Sequence, residues 1–132
     1  MLSVVALLVP VAVACEEKDE EPSSTCQARE ASQYPDLEEV ADQALAGVMH
    51  TLSRLSGCED YGRPEARIMA AVSEWGRRRQ VVQHLQALGW DPLAGSTSLA
   101  SPDERYTAQP VVAREPDAPK YMAIYFASAG SR

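Results

Sequence analysis

Apolar residues fall into a few periodic runs separated by turn-forming stretches. In residues 36–57 (DLEEVADQALAGVMHTLSRLSG), Leu37, Val40, Ala41, Ala44, Leu45, Val48, Leu52 and Leu55 recur three and four apart. That spacing builds one apolar face of a helix. Asp36 stands where an N-cap would, with Glu39 three places on, a capping-box pattern. Gly57 suits the left-handed position after a last turn, and Cys58 the next position, which packs back on the helix. The pattern predicts a helix over 36–57, followed by a loop, EDYGRP.

Residues 65–88 do not fit one straight helix. Ile68, Val72 and Trp75 would mark one side, and Val81, Leu85 and Leu88 nearly the opposite side. The element must therefore break near 73–76. The reading is a strand over 67–72 and a helix over about 75–88, stopped by Gly89 with Trp90 packing back. Residues 91–105 are rich in turn formers, and Ser101-Pro102-Asp103-Glu104 suits a type I turn.

Two strand-like runs close the chain, YTAQPVVAR and KYMAIYFAS. In the second, Met122, Ile124 and Phe126 alternate with Tyr121 and Tyr125, the mark of a half-buried strand. Pro110 makes the first an edge strand or a bulged one. The two read as an antiparallel hairpin. The expected architecture is α+β: two or three helices packed on a small antiparallel sheet with a C-terminal β-hairpin.

The length, 132 residues, suits one domain. The net charge is −7, and Glu16, Glu17, Asp19, Glu20 and Glu21 against Lys18 supply more than half of it. An acidic chain repels phosphate backbones, which argues against nucleic acid as a partner.

Residues 2–15 (LSVVALLVPVAVAC) carry no charge. The run is too short to span a bilayer, which takes about 20 residues. It suits the apolar region of a secretory signal. Val11, Ala12, Val13, Ala14 and Cys15 resemble the lipobox of bacterial lipoprotein signal peptides, although that family prefers Leu where this chain has Ala12. The resemblance implies that Cys15 becomes a thioether to diacylglycerol, that cleavage falls just before it, and that the membrane is a partner through this lipid. It implies a division into a signal peptide (1–14), a lipid-anchored acidic linker (15–25) and one α+β domain (26–132). The residues after Cys15, EEKDEEPSST, cannot bury apolar surface, and their like charges extend a linker. Glu16 stands where some members of the family have the Asp of inner-membrane retention. Its presence points to the outer membrane of a bacterial envelope.

With Cys15 lipidated, Cys26 and Cys58 remain, an even number for an oxidising compartment. They are expected to form a disulfide. No C-x-x-C, H-E-x-x-H, G-x-S-x-G or phosphate-cradling glycine loop occurs. The sequence therefore offers no metal site, no cofactor and no assigned catalytic residue. His50 falls on the polar side of the first predicted helix, and His84 flanks the apolar side of the second.

Arg77, Arg78 and Arg79 are the local oddity. Three cations near a helix start oppose the helix dipole, and they fit an anionic partner. Trp75 and Trp90 bracket the same helix. With Tyr121 and Tyr125 on the outer face of the last strand, they complete the candidate contact residues, since exposed aromatic and arginine side chains anchor interfaces. The expected function is that of a non-catalytic envelope lipoprotein, binding or supporting an envelope protein or an anionic glycan or lipid at the membrane surface. The alternative is a small exported hydrolase using His84 with an acid or a serine. A plain structural spacer is a third class.

Overall fold

The computed structural model describes residues 23–113 and 120–131. Cys15, the signal-like run and the acidic residues up to Glu21 lie outside the described residues. Helix α1 spans Ser23–Ala44, strand β1 Thr51–Ser56, helix α2 Gly57–Tyr61 and strand β2 Ala66–Val72. Helix α3 spans Arg78–Ala87, and the short strands β3 and β4 cover Asp91–Pro92 and Leu99–Ala100. Strands β5, Tyr106–Ala113, and β6, Tyr121–Ser128, form the closing hairpin. The strands make one six-stranded sheet in the order β1-β2-β6-β5-β4-β3, and every neighbouring pair is antiparallel. The fold is α+β, as its sequence pattern implies.

The first predicted helix needs correction. Residues 51–56 are strand β1, and the helix ends at Ala44 instead. Just beyond it, Gly47 takes a left-handed backbone, with φ of 83°, a conformation that costs glycine little. At its other end the helix starts upstream of Asp36 and runs through Pro35. Its buried stripe is Cys26, Glu30, Tyr34, Leu37, Ala41 and Ala44, spaced three to four apart as a helix requires. Glu30 interrupts the apolar signal in its first half. The helix also begins inside the segment expected to be linker, at Ser23.

Cys58 does not follow a helix end; it lies in α2. Ser56 caps that short helix by accepting the backbone N–H of Glu59 at 3.2 Å. The expected disulfide is present, joining Cys26 to Cys58. It ties the first turn of α1 to α2.

Later elements follow the sequence closely. Trp90 N–H donates to Leu85 O and Gly89 N–H to Gln86 O, each at 3.0 Å. This is the two-bond helix stop that a left-handed glycine permits, and Gly89 has φ of 95°. Glu104 N–H donates to Ser101 O at 2.8 Å, closing the expected turn between β4 and β5. Strand β4 pairs with β5 only at Thr107 and Ala108. Beyond them β5 has no described neighbour on that side, which is where Pro110 is tolerated.

Helices α1 and α3 share one face of the sheet. Leu37, Ala41, Val81 and Leu85 from the helices, with Leu45 just past the end of α1, meet Ile68, Ala70, Val72, Ala108, Met122, Ile124 and Phe126 from the strands in one buried core. Trp90 closes its lower end, set edge-on to Phe126 with ring centroids 6.0 Å apart.

Candidate functional site

Cross-strand register settles what lies on the other face. Residues paired directly across antiparallel strands point to the same side. One row therefore runs Ser53–Met69–Tyr125–Gln109, and the next Thr51–Ala71–Ala123–Val111. A third runs Leu55–Arg67–Ala127–Thr107, and Tyr121 pairs with Ala113 at the end. Neither α1 nor α3 covers these rows. Alternation along β2 is complete: Ala66, Ile68, Ala70 and Val72 are buried, while Arg67, Met69 and Ala71 are half-buried.

The face that α1 and α3 leave uncovered has small side chains among larger ones. Alanines form its floor along β2 and β6, and Tyr121, Tyr125, Met69 and Val111 stand around them. Ala123 is only 2% exposed, a small side chain among larger ones. Gln109 is fixed at one margin, its amide donating to Thr97 Oγ1 at 2.9 Å. Arg67 brings a cation whose Nε is buried with no hydrogen-bond partner among the described residues. A surface that is part apolar, part aromatic and weakly charged has the composition of an interface core.

The other residues singled out in the sequence lie elsewhere. Trp90 is 5% exposed and belongs to the core, so it is no contact anchor. Its edge lines a cleft of about 300 Å³ between α1, the end of α3 and the β4–β5 turn, with Val40, Leu88, Pro102 and Tyr106. That volume is at the small end for ligand sites. Ser101 Oγ at its mouth is already bonded to Asp103, at 2.7 Å.

Trp75 is half-buried, packed against the core and against His84 with ring centroids 5.0 Å apart. Arg77 and Arg79 are exposed. Arg78 turns away from them, donating to Thr97 O at 2.9 Å. Gln80 Oε1 accepts the N–H groups of Gly76 and Arg77 at 2.9 and 3.0 Å, which fixes the start of α3.

Among the described residues neither histidine is bonded to a hydroxyl nucleophile. His84 Nε2 bonds Ala44 O at 2.8 Å and holds the end of α1 to α3. No hydroxyl or carboxylate bonds to it among the described residues, whereas a nucleophile–base pair needs both within reach. His50 lies in the α1–β1 connection, not on the helix. Its Nδ1 meets Val48 O at 2.6 Å and its Nε2 meets Asp42 Oδ1 at 2.7 Å. Burial alone would lower its pKa. The Asp42 carboxylate and the Val48 carbonyl outweigh that and raise it, because two acceptors favour the doubly protonated ring.

Glu30 is the residue that sequence reasoning missed. It is 2% exposed, and four donors converge on its carboxylate. Ser56 Oγ donates at 2.6 Å, Gly57 N–H at 2.6 Å, Glu65 N–H at 2.9 Å and Cys58 N–H at 3.1 Å. Burial pushes its pKa up, but the Ser56 hydroxyl and the three amides together hold it below the ordinary carboxylate value. All the donors come from α2 and its flanks, so this is a structural lock beside the disulfide. The one signal for it was the spacing Cys26–Glu30–Tyr34.

Among the described residues no group of three His, Cys, Asp or Glu is placed to hold a metal ion, and no helix is long and apolar enough to cross a membrane. Comparison with protein-family models, curated proteins and solved structures returned no match.

Proposed function

We propose that the chain is a non-catalytic lipoprotein of the bacterial cell envelope that holds a partner at the membrane surface through the bare face of its sheet. The observation that carries this reading is the asymmetry of the sheet. One face is sealed by α1 and α3, and the other presents Tyr121, Tyr125, Met69 and Val111 with no described element over them. Soluble domains rarely leave contiguous apolar surface uncovered without a partner for it.

The Cys26–Cys58 bond supports the export half of the reading, since disulfides persist in oxidising compartments. The lipid anchor rests on the lipobox-like residues ending at Cys15. The hydrolase alternative draws no support from His84, whose hydrogen bond among the described residues, to Ala44 O, is structural.

Two measurements test the proposal. The intact mass of protein extracted from bacterial membranes is expected to begin at Cys15, with acyl chains added and two hydrogens missing. An unlipidated mass retaining residues 1–14 would sink the export reading. A photo-crosslinker at Tyr125 is expected to trap a discrete envelope partner in cells, while one at Gln83, exposed on α3, traps none. Equal trapping from both positions would remove the bare face as the contact surface.

A further inference from the structure

One stripe of α1 is polar and regular. Glu30, Tyr34, Glu38 and Asp42 stand four residues apart, a spacing that stacks side chains along one side of a helix. Each reaches β1 or its flanks. Ser56 Oγ donates to Glu30 at 2.6 Å, and Tyr34 OH donates to Leu55 O at 2.7 Å. Arg54 donates to Glu38 through Nε and Nη2, at 2.9 and 3.0 Å. Asp42 meets His50 Nε2 at 2.7 Å. As the helix runs forward the strand runs back, so these polar rungs fasten α1 along the β1 edge of the sheet.

The last rung differs from the others in chemistry. Arginine keeps its charge at any pH a folded protein meets. Histidine is the side chain whose charge changes between about pH 5 and 8. His50 also carries a second bond, since its Nδ1 meets Val48 O at 2.6 Å. Both partners are acceptors, and the histidine side chain is only 15% exposed. The doubly protonated ring donates to both, whereas a neutral imidazole turns a lone pair toward one of them. Burial pulls against the charge. The Asp42 carboxylate and the Val48 carbonyl outweigh it and hold the ring above the ordinary histidine value.

What the ring holds is the connection between α1 and β1. Asp42 and Val48 lie on either side of Gly47, whose φ of 83° turns the chain. The other hydrogen bonds of this connection are weak or internal to it. Ala46 N–H reaches Gln43 O at 3.4 Å, Val48 N–H donates to Leu45 O at 2.9 Å, and Met49 N–H reaches Glu74 Oε1 at 3.3 Å. The remaining charged or titratable groups described on the neighbouring elements bond elsewhere. Glu38 of α1 pairs with Arg54 of β1, Glu39 meets Gln43, Glu74 accepts Met49 N–H, and His84 of α3 meets Ala44 O. Among them Asp42 is the carboxylate bonded to the ring.

We propose that His50 is a proton-operated clasp: its imidazolium binds the α1–β1 connection back onto Asp42, and loss of the proton frees that connection from the helix. The rungs at Glu30, Tyr34 and Glu38 stay in place, so opening is confined to this end of β1. The direction of the response follows from the raised folded value. The clasp's contribution to stability is fully present below the ordinary value of 6.5 and is lost as pH rises through the folded one. The inference depends neither on acylation of Cys15 nor on the bare sheet face.

NMR tests it on the chain from residue 15, with Cys15→Ser and the disulfide formed. The buried residues described run from Cys26 to Phe126, so the core is complete in it. The histidine signal missing from His50→Gln identifies His50. At about pH 6 its ring is expected to carry protons on both nitrogens, and Asp42→Asn is expected to move its titration to lower pH. The methyl groups of Ala46 and Val48 are expected to gain motion as His50 loses its proton, while those of Ala70 and Ile124 keep theirs. A double-mutant cycle between Asp42→Asn and His50→Gln, read by denaturant titration, is expected to show coupling at about pH 5.5 that is lost at about pH 9. A neutral His50 tautomer at pH 6, or a titration that Asp42→Asn leaves in place, overturns the proposal. So does a titration during which the Ala46 and Val48 methyls keep their order, because His50 would then be a fixed brace, or a coupling that is equal at both pH values.

Discussion

Glu30 keeps a negative charge in a nearly dry place because four donors converge on its carboxylate, of which Gly57 N–H also reaches Glu65 O at 3.1 Å. Removing the carboxylate strands the Ser56 hydroxyl and the Cys58 and Glu65 amides. Glu30→Ala is expected to cost about 3 kcal/mol or more, since each buried donor left unpaired costs about 1–3, and denaturant titration measures it. The pH dependence follows from the direction of the shift. The folded pKa is lowered, so the stabilisation is fully present above the ordinary glutamate value of 4.5 and is lost as pH falls from there through the folded pKa. In Glu30→Gln this part of the acid limb is expected to flatten. A variant that loses stability with acid as steeply as the wild type would show that other carboxylates dominate.

At the level of elements, the parts legible in the sequence are those whose signal is local. The β5–β6 hairpin was written in a two-residue alternation, and the end of α3 in Leu-Gly-Trp. Strand β2 was separated from α3 by a clash of phase. The first helix was misplaced because Leu52 and Leu55 continue the three-residue spacing of the helix before them. In β1 they lie on opposite faces, and only the pairing with β2 decides that. Strands β3 and β4 are two residues each, too short to carry any period. The cap Ser56-x-x-Glu59 was present as a capping-box sequence but stood inside a run already read as helix.

Gly57 shows the same dependence on distant chain. A Cβ there would lie 2.5 Å from Glu65 Cβ and 2.8 Å from Arg63 O, so backbone must move to admit it. Gly57→Ala is expected to destabilise by about 1–3 kcal/mol, the usual cost of overpacking, and thermal melting checks it. A melt unchanged from wild type would mean that residues 63–65 yield freely.

For the whole molecule, which sheet face the described helices leave uncovered cannot be read from the sequence. The alternation in β6 showed two faces, but coverage depends on both helices crossing to the same side. Tyr121 and Tyr125 were recognisable because tyrosines alternate with buried residues there. Trp90 looks like a contact candidate in sequence because a helix-stop tryptophan and an exposed one are alike there, and the fold places it in the core. The arginine triplet was legible as a cluster, but not its division into two exposed members and one held by Thr97.

The disulfide links residues 32 apart in sequence. Replacing both Cys26 and Cys58 by Ser is expected to cost about 3–4 kcal/mol in the chain-entropy model. Denaturant midpoints of the double variant measure it, and an unchanged midpoint would overturn that expectation.

The position of this bond has a mechanical consequence. Tension drawn through the chain ahead of Ser23 reaches Cys26 within one helical turn. There it passes along a covalent path into α2 instead of peeling α1 off the sheet turn by turn. Only the residues before Cys26 can be stripped at low force. The remainder of α1 and the core beneath it are then loaded through the disulfide and not through the turns of the helix.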